Sequence, residues 1–104
     1  MVSRKKIEFL LFTDKKVFHK SKKIPFHEWI KSIILSMIPK KYSEGDYEIK
    51  TIYIEENPEM NEKYDIPNIP TLYMNDEFIF GGDVPEWLLR RILKGRFEEL
   101  EKII

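Results

Sequence analysis

Residues 65–83 read D-I-P-N-I-P-T-L-Y-M-N-D-E-F-I-F-G-G-D, and this stretch decides the fold. Prolines before position 71 mark a turn. Thr71–Met74 and Glu77–Phe80 then carry the aromatic and β-branched residues typical of strands. Asn75-Asp76 joins them, and a polar two-residue joint between such runs indicates a hairpin. The stretch therefore predicts two antiparallel strands that end at a pair of glycines.

A helix is predicted directly after the glycines. Asp83 and Glu86 have the spacing of an acidic capping box, so Asp83 is expected to be the N-cap. The apolar positions that follow have helical spacing. They are Leu88, Leu89, Ile92, Leu93 and, beyond Gly95, Phe97 and Leu100.

The first half of the chain predicts four further elements. Lys6–Phe12 is a nearly continuous apolar run, which favours a central strand covered on both faces. Pro25 opens a helix whose apolar stripe is Phe26, Trp29, Ile30, Ile33, Ile34, Met37 and Ile38. Tyr47–Ile54 has strand composition. Asn57-Pro58 predicts the N-cap and first residue of a short helix that runs to about Tyr64.

The predicted order is β-α-β-α-β-β-α, an α/β fold. A helical crossover joins the first two strands, so they should be parallel, and the last two should be antiparallel. We expect a four-stranded mixed sheet with helices on both faces. At 104 residues, one domain is predicted over 1–104, with a core at 5–94 and a helical extension at 95–104.

Composition bounds the function. The net charge is zero, so no general nucleic-acid binding is expected. No apolar run is long enough to span a bilayer and no cleavage site follows the basic start, so a cytoplasmic protein is predicted, with no membrane partner. Enrichment in Lys and Glu fits a thermophile. Codon bias in an A+T-rich genome explains the same enrichment, and both interpretations stay open.

Residues 52–72 (I-Y-I-E-E-N-P-E-M-N-E-K-Y-D-I-P-N-I-P-T-L) and 74–83 resemble thioredoxins and glutaredoxin-like proteins. The most specific piece is Asn68-Ile69-Pro70-Thr71. The resemblance implies a thioredoxin-like fold and a cis peptide bond before Pro70. It also implies that the backbone of Ile69 is left free to pair with an extended peptide or with glutathione.

The family's Cys-x-x-Cys motif would fall at Val17–Lys20, where this chain reads V-F-H-K. The chain contains no cysteine. Thiol-disulfide exchange requires a thiolate. The sequence therefore excludes thiol-disulfide oxidoreductase activity, and we predict no enzyme of that kind and no cofactor.

A lysine-rich segment, residues 15–23, surrounds the former motif. One interpretation is a site for an anion or an acidic partner, formed by Lys16, Val17, Phe18, His19 and Lys20. The other is a solvated loop without a binding role.

Further candidates lie elsewhere in the chain. By the resemblance, Gly82 and Asp83 stand at the corner that helps to hold glutathione in glutaredoxins. The motif departs from the family here, since Val-Pro-Glu follows Asp83, and a helix cap already explains Asp83. His19 and His27 are the only histidines and lack metal-ligand spacing, so no metal site is predicted. His27 is expected on the flank of the first helix.

The last helix suggests a surface for assembly. Trp87 lies off the apolar stripe, with Arg91 beside it, and Trp and Arg are enriched in interface anchors. The other interpretation is that Trp87 covers the edge of the sheet. Phe97 and Leu100, with Ile103 and Ile104, form an apolar stripe that either packs on its own domain or meets a second chain.

Three functions follow as hypotheses. The first is a non-catalytic module that binds a protein or peptide, for example an acidic one, in the former active-site groove. The second is a homodimer or other assembly through Trp87, Arg91, Phe97 and Leu100. The third is a binder of a glutathione-like anionic small molecule.

Overall fold

The computed structural model describes residues 6–14 and 24–103. Its elements follow the predicted order β-α-β-α-β-β-α. The strands are β1 (Ile7–Thr13), β2 (Tyr47–Tyr53), β3 (Thr71–Met74) and β4 (Glu77–Gly81). The helices are α1 (Phe26–Met37), α2 (Met60–Lys63) and α3 (Glu86–Ile103), with a single 3₁₀ turn at Glu44–Asp46.

The four strands form one mixed sheet in the order β2-β1-β3-β4. β1 pairs in parallel with β2 and antiparallel with β3, and β3 pairs antiparallel with β4. β1 therefore lies inside the sheet, as its apolar composition predicts. The carboxyl end of β1 meets the amino end of β3, where Phe12 pairs with Thr71.

The side chains of β1 alternate between two apolar cores, which explains why nearly all of them are apolar. Phe9 and Leu11 belong to the larger core, under α1 and α3. Leu10 and Phe12 belong to the smaller core, which includes Met60 of α2. The prediction of helices on both faces is confirmed.

Helix α1 uses the apolar stripe that the sequence predicts. Pro25 is its N-cap, and Phe26, Trp29, Ile30, Ile33 and Ile34 are buried. Met37 and Ile38 are partly buried against the same core. The helix ends at Met37, just before Pro39, because a proline disfavours helical backbone in the residue before it.

Helix α3 begins at Glu86, so the predicted capping box with Asp83 as N-cap is wrong. The reason is Pro85, which disfavours helical backbone at Val84. Val84 instead packs into the core. In the first turn of α3, the carbonyl of Pro85 accepts a hydrogen bond from the N–H of Leu89 at 3.1 Å.

Helix α2 is shorter than predicted. Asn57 was expected to cap a helix that begins at Pro58, but its side chain donates backwards to the carbonyl of Tyr53 at 3.0 Å. The backbone after Asn57 forms turns whose hydrogen bonds join residues three apart in the sequence, and regular α-helix starts only at Met60.

No helix within residues 6–14 and 24–103 is long and apolar enough to cross a membrane.

Candidate functional site

Residues 67–70 form a loop at the rim of the sheet, here called the rim loop, which leads directly into β3. Pro70 is fully buried, and the Ile69-Pro70 peptide bond is cis, as the resemblance implies. The carbonyl of Pro70 accepts a hydrogen bond from the N–H of Gly82 at 2.8 Å. The hydroxyl of buried Thr71 donates to the carbonyl of Asn68. The rim loop is therefore fastened to the start of β3 and the end of β4.

The two glycines at the end of β4 lie close against the rim loop. A Cβ at Gly81 would lie 3.2 Å from Cγ of Pro67 and 3.4 Å from Oγ1 of Thr71. A Cβ at Gly82 would lie 3.3 Å from Cβ of Asn68. Gly82 also has a φ of +88°, which L side chains rarely adopt. The Gly-Gly pair thus leaves room for the side chains of Pro67, Asn68 and Thr71 against the end of β4.

Ile69 is the residue of the rim loop whose backbone N–H and C=O both lack a partner among the described residues. Its side chain is half-buried. Among the described residues, none exchanges a backbone hydrogen bond with its N–H or its C=O. The site therefore presents one unpaired donor and one unpaired acceptor at the edge where β3 begins.

His27, at the start of α1, is buried with 8% of its surface exposed. The sequence predicts a place on the flank of this helix, and Tyr53 covers that flank. Its Nε2 lies 3.4 Å from the hydroxyl of Tyr53 and 3.5 Å from a carboxylate oxygen of Glu28. Its Nδ1 is buried and has no hydrogen-bond partner in the part of the chain that the structure describes. Tyr53 ends β2, beside the carboxyl end of β1, so the sequence spacing gave no signal for this pair.

The other predicted binding residues divide into two groups. Gly82 belongs to the rim described above, and exposed Asp83 follows it, three residues before the first residue of α3. Lys16, Val17, Phe18, His19 and Lys20 lie outside the described residues. Within 6–14 and 24–103, no three His, Asp or Glu side chains form a group that would hold a metal ion.

The predicted assembly residues of α3 occupy different environments. Trp87 is 65% exposed, and Arg91 is exposed beside it. Phe97 is only 4% exposed and packs on Phe9, with 6.3 Å between ring centroids. Leu100 is partly buried against the same core. Phe97 is therefore a core residue of its own domain, which is the first of the two alternatives for this stripe, and it does not belong to an exposed interface.

An aromatic cluster that the sequence analysis did not identify lies on the opposite face of the sheet. The hydroxyl of Tyr64 donates to Oδ1 of Asp76 in the hairpin turn at 2.8 Å, and the hydroxyl of Tyr73 donates to the carbonyl of Asp65 at 2.7 Å. The hydrogen bond to Asp76, then burial and the negative charges of Asp76 and Glu8, raise the pKa of Tyr64 to about 12. This cluster joins the hairpin to α2.

Comparison with known proteins adds the fold alone. No protein-family model matches the chain, and no curated protein matches its sequence. A solved structure described as that of a malarial protein superposes with a TM-score of 0.55. The match covers 86% of this chain and 96% of that one at 14% identity. This chain thus shares a mixed α/β fold with that protein.

Proposed function

We propose that this chain is a thioredoxin-like domain without a redox centre, and that it binds an extended segment of a partner protein without catalysis. The observation that carries the proposal is the unpaired N–H and C=O of Ile69 at the rim of the sheet. Main-chain pairing with an extended peptide is a common mode of peptide recognition.

The thioredoxin-like assignment is supported by the architecture. The element order, the parallel β1–β2 pair and the antiparallel β3–β4 hairpin agree with what the resemblance implies. Pro70 stands directly before β3, beside the carboxyl end of β1, where the family places its cysteine motif.

The rim loop is suited to binding because it is held in place before a partner arrives. Hydrogen bonds fix it on both sides of Ile69, through Asn68 and Pro70. The glycine contacts leave it little room to move towards β4. A preorganised backbone loses less conformational entropy on binding, which favours affinity.

The charge of residues 15–23 suggests the nature of the partner. These residues lie outside the described part of the chain, but their sequence contains Lys16 and Lys20 around the former cysteine positions. Lysines near a peptide site favour an acidic segment. We therefore infer that the bound segment is extended and acidic.

The test is selection of peptides from a phage-displayed random library on the immobilised wild-type protein, followed by fluorescence anisotropy with the selected peptide. We expect acidic peptides whose affinity falls roughly tenfold when the single amide facing Ile69 is N-methylated, since one main-chain hydrogen bond is lost. The Ile69 amide should show the largest NMR shift change. Lys20→Glu should weaken binding, and Lys50→Glu, on an edge strand, should not.

Two outcomes contradict this proposal. One is a library that yields no binding peptide. The other is a peptide whose affinity depends on neither its own amides nor Lys20.

A small anionic ligand at the Gly82-Asp83 corner is the competing interpretation from the sequence. Glutathione itself is the probe. A rise in melting temperature with glutathione that disappears in a Lys16→Glu, Lys20→Glu double variant would favour it over peptide binding.

A further inference from the structure

Gly95 lies in the middle of α3, where the fold gives no reason for a glycine. A Cβ built there meets no atom of the described residues within 4 Å, apart from its own helix backbone and chain neighbours. Glycine destabilises a helix interior relative to alanine. A glycine with open space beside it lets another molecule approach the helix backbone closely at this point.

The surface around Gly95 is a shallow groove along α3. Its volume is about 440 Å³, and it is lined by Leu88, Arg91, Ile92, Gly95, Arg96 and Glu99. Leu88 and Ile92 are only partly buried, so part of their apolar surface remains at the groove. Gly95 lies between these apolar residues and the acidic carboxyl-terminal end of the helix.

Two opposite charges flank Gly95 and have no partner of their own. Arg91 and Glu98 are both exposed, and neither forms an ion pair among the described residues. They are seven residues apart, so they lie on one stripe of the helix, two turns apart. By contrast, Arg90 pairs with Glu86 and Arg96 pairs with Glu77.

We propose that a second copy of this chain docks antiparallel on α3, with the two helices crossing near Gly95. The midpoint between Arg91 and Glu98 falls beside Gly95, so a two-fold axis there brings Arg91 of each copy to Glu98 of the other. The contact thus pairs Arg91 with Glu98 at Gly95, where the backbones can approach closely. Exposed Trp87, one turn before Arg91, lies at its edge.

This homodimer goes beyond the proposed peptide-binding function and uses a different element. A single helix pair belongs to the small end of specific interfaces, so the dimer should be weak and concentration-dependent. Its apolar part comes from Leu88 and Ile92, and its register comes from the charges.

The first experiment is sedimentation equilibrium of the full chain over a wide concentration range, at low salt. Arg91→Glu and Glu98→Arg should each raise the dimer dissociation constant roughly tenfold, because two attractive contacts become repulsive. The double variant Arg91→Glu, Glu98→Arg should restore the wild-type value, because it exchanges the charges. Lys50→Glu makes the same charge change away from α3 and should have no effect.

A second variant tests the close approach. Gly95→Gln introduces a good helix former into open space, so the dilute protein should melt at the wild-type temperature or higher. The same side chain blocks the crossing and should abolish the dimer. A wild-type chain that stays monomeric up to about 1 mM overturns the proposal. A charge-exchanged double variant as weak as the single variants, or an undiminished Gly95→Gln dimer, also overturns it.

Discussion

At Gly82, the backbone that follows β4 forms a hydrogen bond with the backbone of the rim loop. Replacing it with alanine forces a Cβ against Asn68 and a side chain into a positive φ. We expect Gly82→Ala to lower the free energy of unfolding by about 1–3 kcal/mol, measured by urea denaturation. Gly45→Ala is the matched control, because Gly45 has open space and no positive φ. A Gly82→Ala variant as stable as Gly45→Ala would contradict this reading of the rim.

His27 is a second residue whose effect on the free energy of unfolding comes from its local environment. Its buried Nδ1 lacks a partner among the described residues. An unsatisfied buried polar atom costs stability, whereas an apolar side chain there does not. His27→Leu should therefore leave the free energy of unfolding unchanged or raise it by about 1 kcal/mol, as measured by chemical denaturation. A loss of more than about 2 kcal/mol would mean that the imidazole contributes bonding that its contacts with Tyr53 and Glu28 do not account for.

At the scale of elements, the hydrogen bond from Tyr64 to Asp76 joins α2 to the β3–β4 hairpin. Folding raises the pKa of Tyr64 from 10.0 to about 12, so the folded state holds this proton more tightly than the unfolded chain does. The resulting stabilisation is complete below pH 10.0 and is lost as the pH rises towards 12. The free energy of unfolding of the wild type should fall more steeply over this range than that of Tyr64→Phe. Parallel curves would contradict the assignment.

The elements also show what the sequence can and cannot predict. The β3–β4 hairpin was predictable because Asn75 and Asp76 tolerate the positive φ values of 50° and 66° that its turn requires. The start of α3 was not predictable from the sequence, because the capping pattern at Asp83 competes with the restriction that Pro85 places on the backbone of Val84. Ile69 was identified only through the resemblance. His27 and Tyr53 meet through tertiary packing, and no local pattern reports such a pair.

At the scale of the whole molecule, Phe97 ties the far half of α3 to the central strand through Phe9. Phe97→Ala should lower the free energy of unfolding by about 3–5 kcal/mol, because it leaves a large cavity in the main core. Trp87→Ala removes a larger side chain that is 65% exposed, and it should change stability by less than about 0.5 kcal/mol at monomeric concentration. Thermal unfolding of both variants checks this contrast. Equal losses would place Trp87 in the core as well.

The order of the strands has a consequence for synthesis. β1 is translated before each of the elements that cover it, and α3, which supplies Leu89, Leu93 and Phe97 to its larger face, follows every strand. On the ribosome, Phe9 and Leu11 therefore stay without their final cover until α3 has emerged. An apolar segment exposed for that time is a target for chaperones and for aggregation. A stalled nascent chain that ends before residue 86 should accordingly recruit chaperones. A chain with a C-terminal linker long enough to bring residue 103 out of the ribosome should release them.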